Sequence, residues 1–184
     1  MKVTVKYSHR LEWETFQIRE GANMSQIIKV GMADLNICVS PDGITTLGLG
    51  SCVGIAIRDP VTKIGGLAHI MLPDSTEIRN NSNIPKFADT GIEELVRLII
   101  AKGGNKSRLV AKIAGGAQMF AFQSNNATMR VGDRNVAASL KKLKELNIPV
   151  LAQDTGDSYG RTVIFYPENG NYIIRAVGKP EKII

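Results

Sequence analysis

The chain has 184 residues, of which 43% are hydrophobic and 22% are charged, and its formal net charge is +6. This length and composition indicate one globular domain with a core of ordinary size. The basic residues are scattered and match no nucleic-acid-binding motif, and no apolar run approaches the roughly 20 residues that span a bilayer. The one dense basic group, Lys141-Lys142-Lys144, lies on a predicted helix and is interpreted as a solvated face.

The cysteine content argues against a metal-stabilised or disulfide-stabilised scaffold. Cys38 and Cys52 are the two cysteines, and neither belongs to a Cys-x-x-Cys pair. Their spacing alone leaves a Cys38–Cys52 bridge open, although nothing else indicates secretion. The first 20 residues lack the apolar core of a signal peptide because acidic residues interrupt them. We therefore expect a cytoplasmic protein.

The pattern divides the chain into an N-terminal extension, residues 1–27, and a single domain over residues 28–184. Val3, Val5 and Tyr7 alternate with polar residues and predict one strand in the extension. The domain then begins with short strands: Leu35, Ile37 and Val39 alternate before a turn. Further strands are predicted over 44–47, 52–57 and 64–71.

The strand that begins at Cys52 has two different faces. Val53, Ile55 and Ile57 point one way, whereas Gly54 and Ala56 point the other, and these small residues let a second layer approach closely. Asp59-Pro60 turns the chain into the strand that carries His69. An antiparallel pair of this kind can bring Cys52 and His69 side by side.

The second half predicts two helices among further strands. Residues 74–84 form a polar loop, and a helix follows from about Pro85, with its apolar face formed by Ile92, Leu95, Val96, Ile99 and Ile100, ending at Gly103-Gly104. A strand over 109–114 precedes a helix capped by Asp133, whose apolar stripe is Val136, Leu140, Leu143 and Leu146. A strand over 148–153 and a hairpin of 162–166 with 172–177 complete a mixed α/β layered domain, with helices covering a sheet.

A glycine-rich loop, Gly48-x-Gly50-Ser51, directly precedes Cys52. A dinucleotide site is disfavoured because the third glycine, Gly54, falls one position late and a strand follows instead of a helix. Such a loop can instead expose the thiol and aim backbone amides at a developing oxyanion. Cys38 lies in an alternating strand and is typical of a structural thiol.

His69 is the predicted general base for Cys52. It is the only histidine of the predicted core, and an imidazole is the usual group that converts a thiol to a thiolate near neutral pH. No other histidine or cysteine has the spacing of a metal site. The group that orients the ring stays open among Thr46, Asp59, Asp74 and Asp154.

Three segments together resemble the CheD family of chemoreceptor glutamine deamidases: Thr46–Val53, Ala68–Ser75 and Lys112–Phe120. Arg134-Asn135-Val136 and Asp154-Thr155-Gly156 are also similar to that family, and the similarity runs from about Ile28 to Val177. The sequence departs from the family at Asp157, where a glycine is expected, and at Gln153, where an acidic residue is common.

The resemblance implies a protein-glutamine deamidase that converts receptor glutamines to glutamates with release of ammonia. It implies Cys52, His69 and Thr46 as the catalytic residues, with no cofactor and no metal. It also implies two packed mixed sheets with helices outside, similar to the catalytic domain of cytotoxic necrotizing factor toxins. The expected partners are the cytoplasmic helices of methyl-accepting chemotaxis receptors and the phosphatase CheC, which acts on phosphorylated CheY; no nucleic acid and no membrane insertion are expected.

Two further expectations complete the functional hypothesis. The loop residues Gly50 and Ser51 help to stabilise the oxyanion, and Met119 and Phe120 are either core residues or an exposed contact for a partner or substrate helix. The alternatives are a related cysteine hydrolase, of transglutaminase or esterase type, and a non-catalytic regulator that binds CheC and receptors. Nothing in the sequence suggests more than a monomer.

Overall fold

The computed structural model describes residues 25–79, 81–118 and 130–184. The strand predicted over Val3–Tyr7 and the contact predicted at Met119 and Phe120 lie outside these residues. The described chain folds into two five-stranded sheets and two α-helices.

Sheet I contains β1 (Ile27–Val30), β3 (Gly43–Leu49), β8 (Arg161–Phe165), β9 (Tyr172–Arg175) and β10 (Lys182–Ile183), in that spatial order. Sheet II contains, in spatial order, β2 (Asp34–Val39), β5 (Ile64–Ile70), β4 (Val53–Asp59), β6 (Val110–Gly115) and β7 (Val150–Thr155). Each sheet has one parallel pair, β1 with β3 and β6 with β7, and is otherwise antiparallel. The prediction of two packed mixed sheets with helices outside is confirmed, whereas the similarity to cytotoxic necrotizing factor stays a prediction.

The molecule has three layers because sheet II is buried on both faces. The helices α1 (Ala88–Ala101) and α2 (Val131–Glu145) cover one face, where they meet Val53, Ile55 and Ile57 of β4. The other face packs against sheet I. A Cβ atom at Gly54 would lie 2.6 Å from the Tyr172 hydroxyl oxygen of sheet I, so only glycine allows the two sheets to approach this closely.

Two details of the helices differ from the sequence prediction. Asp133 is not the cap of α2: Arg130 precedes the first helical residue, and Asp133 lies in the first turn, where a carboxylate interacts favourably with the helix dipole. Ile100, predicted on the buried face of α1, is 39% exposed. The termination of α1 at Gly103 is confirmed, because Gly103 has a φ of 117° that favours glycine.

A bulge interrupts β3 next to the glycine-rich loop. Thr46 pairs with Val163, but Leu49 pairs with Arg161, so β3 contains one extra residue between them. Gly48 takes a φ of 73° in this bulge. The bend ends the regular ladder after Thr46 and leads the chain into the loop before Cys52. No helix within the described ranges is long and apolar enough to cross a membrane.

Candidate active site

Cys52 lies where the glycine-rich loop enters β4, on the face of sheet II that packs against sheet I, and its side chain is 8% exposed. The segment that follows β6 holds this loop: the Gly116 amide donates to the Cys52 carbonyl at 2.8 Å, and the Ala117 amide donates to the Gly50 carbonyl at 2.7 Å. Gly115 must be glycine here, because its φ is 111° and a Cβ would lie 2.3 Å from the Cys52 carbonyl oxygen. The backbone thus fixes the cysteine from both sides.

The surroundings of Cys52 favour the protonated thiol. Burial raises the pKa of the thiol, and a hydrogen bond from the residue's own backbone amide offsets only part of that effect. A buried thiol of this kind reacts only when a base removes its proton.

His69 lies on β5 directly opposite Gly54, two residues beyond Cys52 on the neighbouring strand. Side chains two residues apart on a strand share a face, so the imidazole and the thiol are diagonal neighbours, within reach of a long side chain. The sequence predicted that Cys52 and His69 can lie side by side. In the structure they are diagonal neighbours, because Gly54 and not Cys52 is the residue paired with His69. The Tyr172 hydroxyl and the Leu49 side chain of sheet I border the position that a Cβ of Gly54 would take.

Thr46 hydrogen-bonds to His69 and determines which ring nitrogen carries the proton. The Thr46 hydroxyl donates its one hydrogen to the Val30 carbonyl at 2.8 Å, and its oxygen lies 2.7 Å from His69 Nδ1. The hydroxyl can only accept from the ring, so Nδ1 is protonated and Nε2 has a free lone pair. His69 Nε2 is buried, and no described residue provides it with a hydrogen-bond partner.

His69 is fully buried, and burial lowers the pKa of the imidazole. The raised thiol pKa and the lowered imidazole pKa both favour the neutral forms of the pair. A neutral imidazole with an unprotonated Nε2 is the form that can accept a proton.

The three aspartates left open by the sequence are all occupied elsewhere. Asp59 lies at the far end of β4, seven residues from Cys52 and therefore roughly 23 Å away along the strand, and it binds Arg108. Asp74 caps the 3₁₀ turn Ser75–Glu77. Asp154 lies three strands from His69, roughly 14 Å across the sheet, and it binds Arg161. Of the four candidates, Thr46 is the one that contacts the ring.

The remaining predicted site residues, Gly50 and Ser51, lie in the glycine-rich loop that precedes Cys52. The Gly50 amide already donates to the Gly48 carbonyl at 2.9 Å. Within the described part of the chain, the amides of Ser51 and Cys52 donate to no other residue. No group of three or more potential metal ligands occurs among the residues that the structure describes.

Asn135 and Arg161 contribute to the site, although sequence analysis assigned no role to either. Asn135 is fully buried on α2, and its Nδ2 donates to the carbonyls of Ser51 and Met71. The feature of the sequence that could have identified Asn135 is the similarity of Arg134-Asn135-Val136 to the family pattern. Arg161 is buried at the start of β8 and resembled an ordinary strand-end charge, so no local signal identified it.

Arg161 shapes the loop after β7, which in turn holds the segment that supports Cys52. Its guanidinium binds Asp154 at 2.7 Å and the Gly156 carbonyl at 3.0 Å. Asp157, where the family pattern has glycine, takes a φ of 60°, a conformation that aspartate adopts more readily than most residues. The Asp157 carbonyl accepts from the Gln118 amide at 2.8 Å, so the loop keeps its contact with the segment after β6. Gln153, the other departure, lies on β7.

Comparison with known proteins gives one consistent result. A family model described as CheD chemotactic sensory transduction matches residues 71–176. A probable chemoreceptor glutamine deamidase CheD of Lachnoclostridium phytofermentans is 63% identical over 161 residues, which are 88% of this chain and 100% of that protein. The chemoreceptor glutamine deamidase CheD of Halalkalibacterium halodurans is 52% identical over 162 residues, 88% of this chain and 100% of that protein. A probable chemoreceptor glutamine deamidase CheD of Caldanaerobacter subterraneus is 51% identical over 160 residues, with coverage of 87% and 99%.

Among solved structures, the chain is similar to the hypothetical protein YfiH of Bacillus licheniformis, with a TM-score of 0.38 and 17% identity. The match covers 62% of this chain and 50% of that one. A likeness of this size supports no conclusion about fold or function.

Proposed function

Because this chain belongs to the CheD family, we propose that it is a chemoreceptor glutamine deamidase that uses Cys52 as its nucleophile. The observation that carries the proposal is the hydrogen bond between Thr46 and His69 Nδ1, which leaves Nε2 as a buried acceptor on the face of sheet II that also carries Cys52. The reaction hydrolyses a side-chain amide of a receptor glutamine to glutamate and ammonia.

In the first step, His69 Nε2 takes the proton of the Cys52 thiol as Sγ attacks the side-chain carbonyl carbon of the glutamine. A new C–S bond forms, and the carbonyl electrons move to the oxygen as an oxyanion. The neutral imidazole suits this step, because an imidazolium already carries a proton on each nitrogen and could not accept the thiol proton. Thr46 keeps the ring in the required tautomer and orientation.

The oxyanion is stabilised by backbone amides of the glycine-rich loop. The amide of Gly50 is engaged by Gly48, which favours the amides of Ser51 and Cys52 as the donors. Loss of one donor of this kind costs a factor of about 100 to 1,000 in turnover.

The second half of the reaction regenerates the thiol. The protonated His69 gives its proton to the leaving nitrogen, the C–N bond breaks, and ammonia leaves a thioester on Cys52. Water then attacks the thioester while Nε2 accepts one of its protons. The C–S bond breaks, the sulfur recovers that proton, and the product is glutamate.

The test is ammonia release from a chemoreceptor cytoplasmic fragment, combined with mass spectrometry of the product. Wild-type protein should add about 1 Da for each glutamine modified, and Cys52→Ala should add nothing. Cys38→Ala is the matched control, because Cys38 is a second buried free cysteine outside the site. Equal turnover by Cys52→Ala and wild type would remove the proposal.

The same experiment distinguishes deamidation from the alternative functions. A transglutaminase would join the receptor to an added amine, and an esterase would leave the amide unchanged while cleaving receptor methyl esters. A regulator without catalysis would bind the receptor and leave its mass unchanged. The buried Thr46–His69 contact favours catalysis, because binding alone does not require a fixed histidine tautomer.

Four finer statements accompany this function as proposals. The protein acts in the cytoplasm on receptor helices, binds CheC, and works as a monomer. Residues 1–27 form an extension of a catalytic domain that spans 28–184. Because β1 supplies the Val30 carbonyl to Thr46, a truncation that removes residues 1–24 and keeps β1 is expected to retain full activity. Lower activity of this truncation would assign the extension a role in catalysis or folding.

A further inference from the structure

Asn135 connects the loop of the nucleophile to the strand of the base. Its Nδ2 donates to the Ser51 carbonyl at 2.9 Å and to the Met71 carbonyl at 2.8 Å. Ser51 directly precedes Cys52, and Met71 follows His69 by two residues on the continuation of β5. One fully buried side chain on α2 therefore contacts both halves of the candidate site.

The orientation of this carboxamide is fixed by its partners. Both are carbonyl oxygens that can only accept, so the nitrogen and its two hydrogens must face them. The Oδ1 atom has no hydrogen-bond partner within the described ranges. An acceptor buried without a partner destabilises the folded protein by about 1–3 kcal/mol. Two bonds from the nitrogen offset that cost, and they are lost if the amide turns over.

The contact with Ser51 acts on the peptide group that carries the Cys52 amide. The carbonyl of Ser51 and the N–H of Cys52 belong to one planar unit, and in a trans peptide they point in opposite directions. The amide and the sulfur belong to the same residue, and the amide lowers the pKa of the thiol, so the amide lies close to the atom that forms the new bond. A hydrogen bond to the carbonyl end fixes the plane and also strengthens the amide as a donor, because linked hydrogen bonds polarise one another.

We propose that Asn135 is a positioning residue that aims the Cys52 amide at the oxyanion of the tetrahedral intermediate. The inference rests on the proposed cysteine chemistry of this site. Asn135 does not touch the substrate; it acts through the Ser51–Cys52 peptide group.

Ser139 offers a matched control on the same helix. It is also fully buried, and its hydroxyl donates to the Asn135 carbonyl at 2.6 Å. Ser139→Ala removes a buried hydrogen bond one turn further along α2 without removing either contact of Nδ2. It measures the effect of a loosened helix alone.

The experiment compares two reactions of Cys52 that differ in their need for an oxyanion donor. Alkylation by iodoacetamide displaces iodide at a saturated carbon and forms no oxyanion. A receptor peptide whose target glutamine side chain ends in an aldehyde adds the thiol at a carbonyl carbon and places a charged or hydroxyl oxygen at the donor. The rate of alkylation and the affinity for the aldehyde peptide are measured with full-length wild type, Asn135→Ala and Ser139→Ala. The kcat and KM for the receptor fragment are measured with the same three proteins.

Asn135→Ala should lower kcat about 100-fold and weaken aldehyde binding by a similar factor. Its KM and alkylation rate should stay within about threefold of wild type, since neither depends on the donor. Ser139→Ala should change none of these quantities by more than about threefold. Asn135→Asp, which keeps the side-chain volume but loses the donor hydrogens, should reproduce the selective loss if Asn135→Ala is poorly folded.

Several outcomes would overturn the inference. Equal loss of alkylation and aldehyde binding would mean that Asn135 only maintains the structure, as would the failure of both variants to fold. An unchanged kcat in a folded Asn135→Ala variant, with wild type active, would also remove it. Absence of ammonia release by wild type would instead contradict the proposed function and is recognised by that separate measurement.

Discussion

Asp59 and His69 are both fully buried titratable residues of sheet II, and their surroundings differ in one respect. The Asp59 carboxylate accepts hydrogen bonds from the amides of Val61 and Asn105 and from two nitrogens of Arg108. His69 has one partner, Thr46 at Nδ1, and its Nε2 has none among the described residues.

The difference is in the hydrogen-bonding capacity that each buried group has left. Burial of a polar atom without a partner destabilises a protein, so such atoms are rare in native folds. A carboxylate with four donors has no capacity left for a substrate, whereas an imidazole with one free nitrogen can accept a proton. The hydrogen bonds at the Asp59 end of β4 fix the fold, and the end near Cys52 keeps the free acceptor that the proposed reaction requires.

The largest effect is expected when the free nitrogen is removed. His69→Gln should lower turnover at least about 1,000-fold, because a carboxamide cannot accept the thiol proton. The melting temperature should change much less than the rate. Steady-state ammonia release and thermal unfolding measure the two effects. Turnover within tenfold of wild type would show that another group acts as the base.

The opposite result is expected at the satisfied end of the strand. Asp59→Asn should lower the free energy of unfolding by about 2–4 kcal/mol, because the amide cannot accept all four hydrogen bonds and leaves Arg108 unpaired. Turnover per folded molecule should stay at the wild-type value. Urea unfolding and active-site titration distinguish these quantities, and a selective loss of kcat would contradict the structural role of Asp59.

Thr46 tests whether the tautomer matters beyond the presence of the ring. Thr46→Val keeps the shape but removes the hydroxyl, so Nδ1 loses its acceptor and the ring can take the wrong tautomer. Turnover should fall roughly 10- to 100-fold, an effect of the size seen for second partners of functional histidines. Thr46→Ser keeps the hydroxyl and should retain most of the activity. Equal losses in the two variants would point to packing instead of the hydrogen bond.

The smallest expected effect is the pH dependence of the free energy of unfolding. His69 and Asp59 contribute to it in different ranges of pH. Burial lowers the pKa of His69 below its ordinary 6.5, so the unfolded chain binds the proton more readily. The stability that neutral His69 contributes is complete above that value and is lost as the pH falls. The Arg108 guanidinium lowers the pKa of Asp59 below its ordinary 3.8, so that contribution is lost only in stronger acid.

Urea unfolding at about pH 7.5 and pH 5 measures this difference. As the pH falls across this range, the free energy of unfolding of wild type should decrease relative to that of His69→Gln. The difference between wild type and Asp59→Asn should stay constant until the pH falls below about 4. A constant difference for His69→Gln would mean that the imidazole pKa is the same in the folded and unfolded chains.

The sequence predicted much of the fold because its signals are local. Alternation identified β2 and β4, the pair Gly103-Gly104 marked the end of α1, and the hairpin predicted for 162–166 with 172–177 is formed by β8 and β9. The cap of α2 was missed, since Asp133 is favourable both as a cap and in the first turn.

The tertiary structure decided the contacts between residues that are distant in the chain. The residue types identified Cys52 and His69 but left Thr46 and three aspartates open as partners of the ring, and only the family resemblance implied Thr46. Which of them reaches Nδ1 depends on the packing of sheet I against sheet II. The same packing buries Arg161, whereas the packing of α2 on the opposite face of sheet II turns Asn135 toward the Ser51 carbonyl. Periodicity determines which face a side chain occupies, whereas the distance between atoms of different layers is set only when the layers pack together.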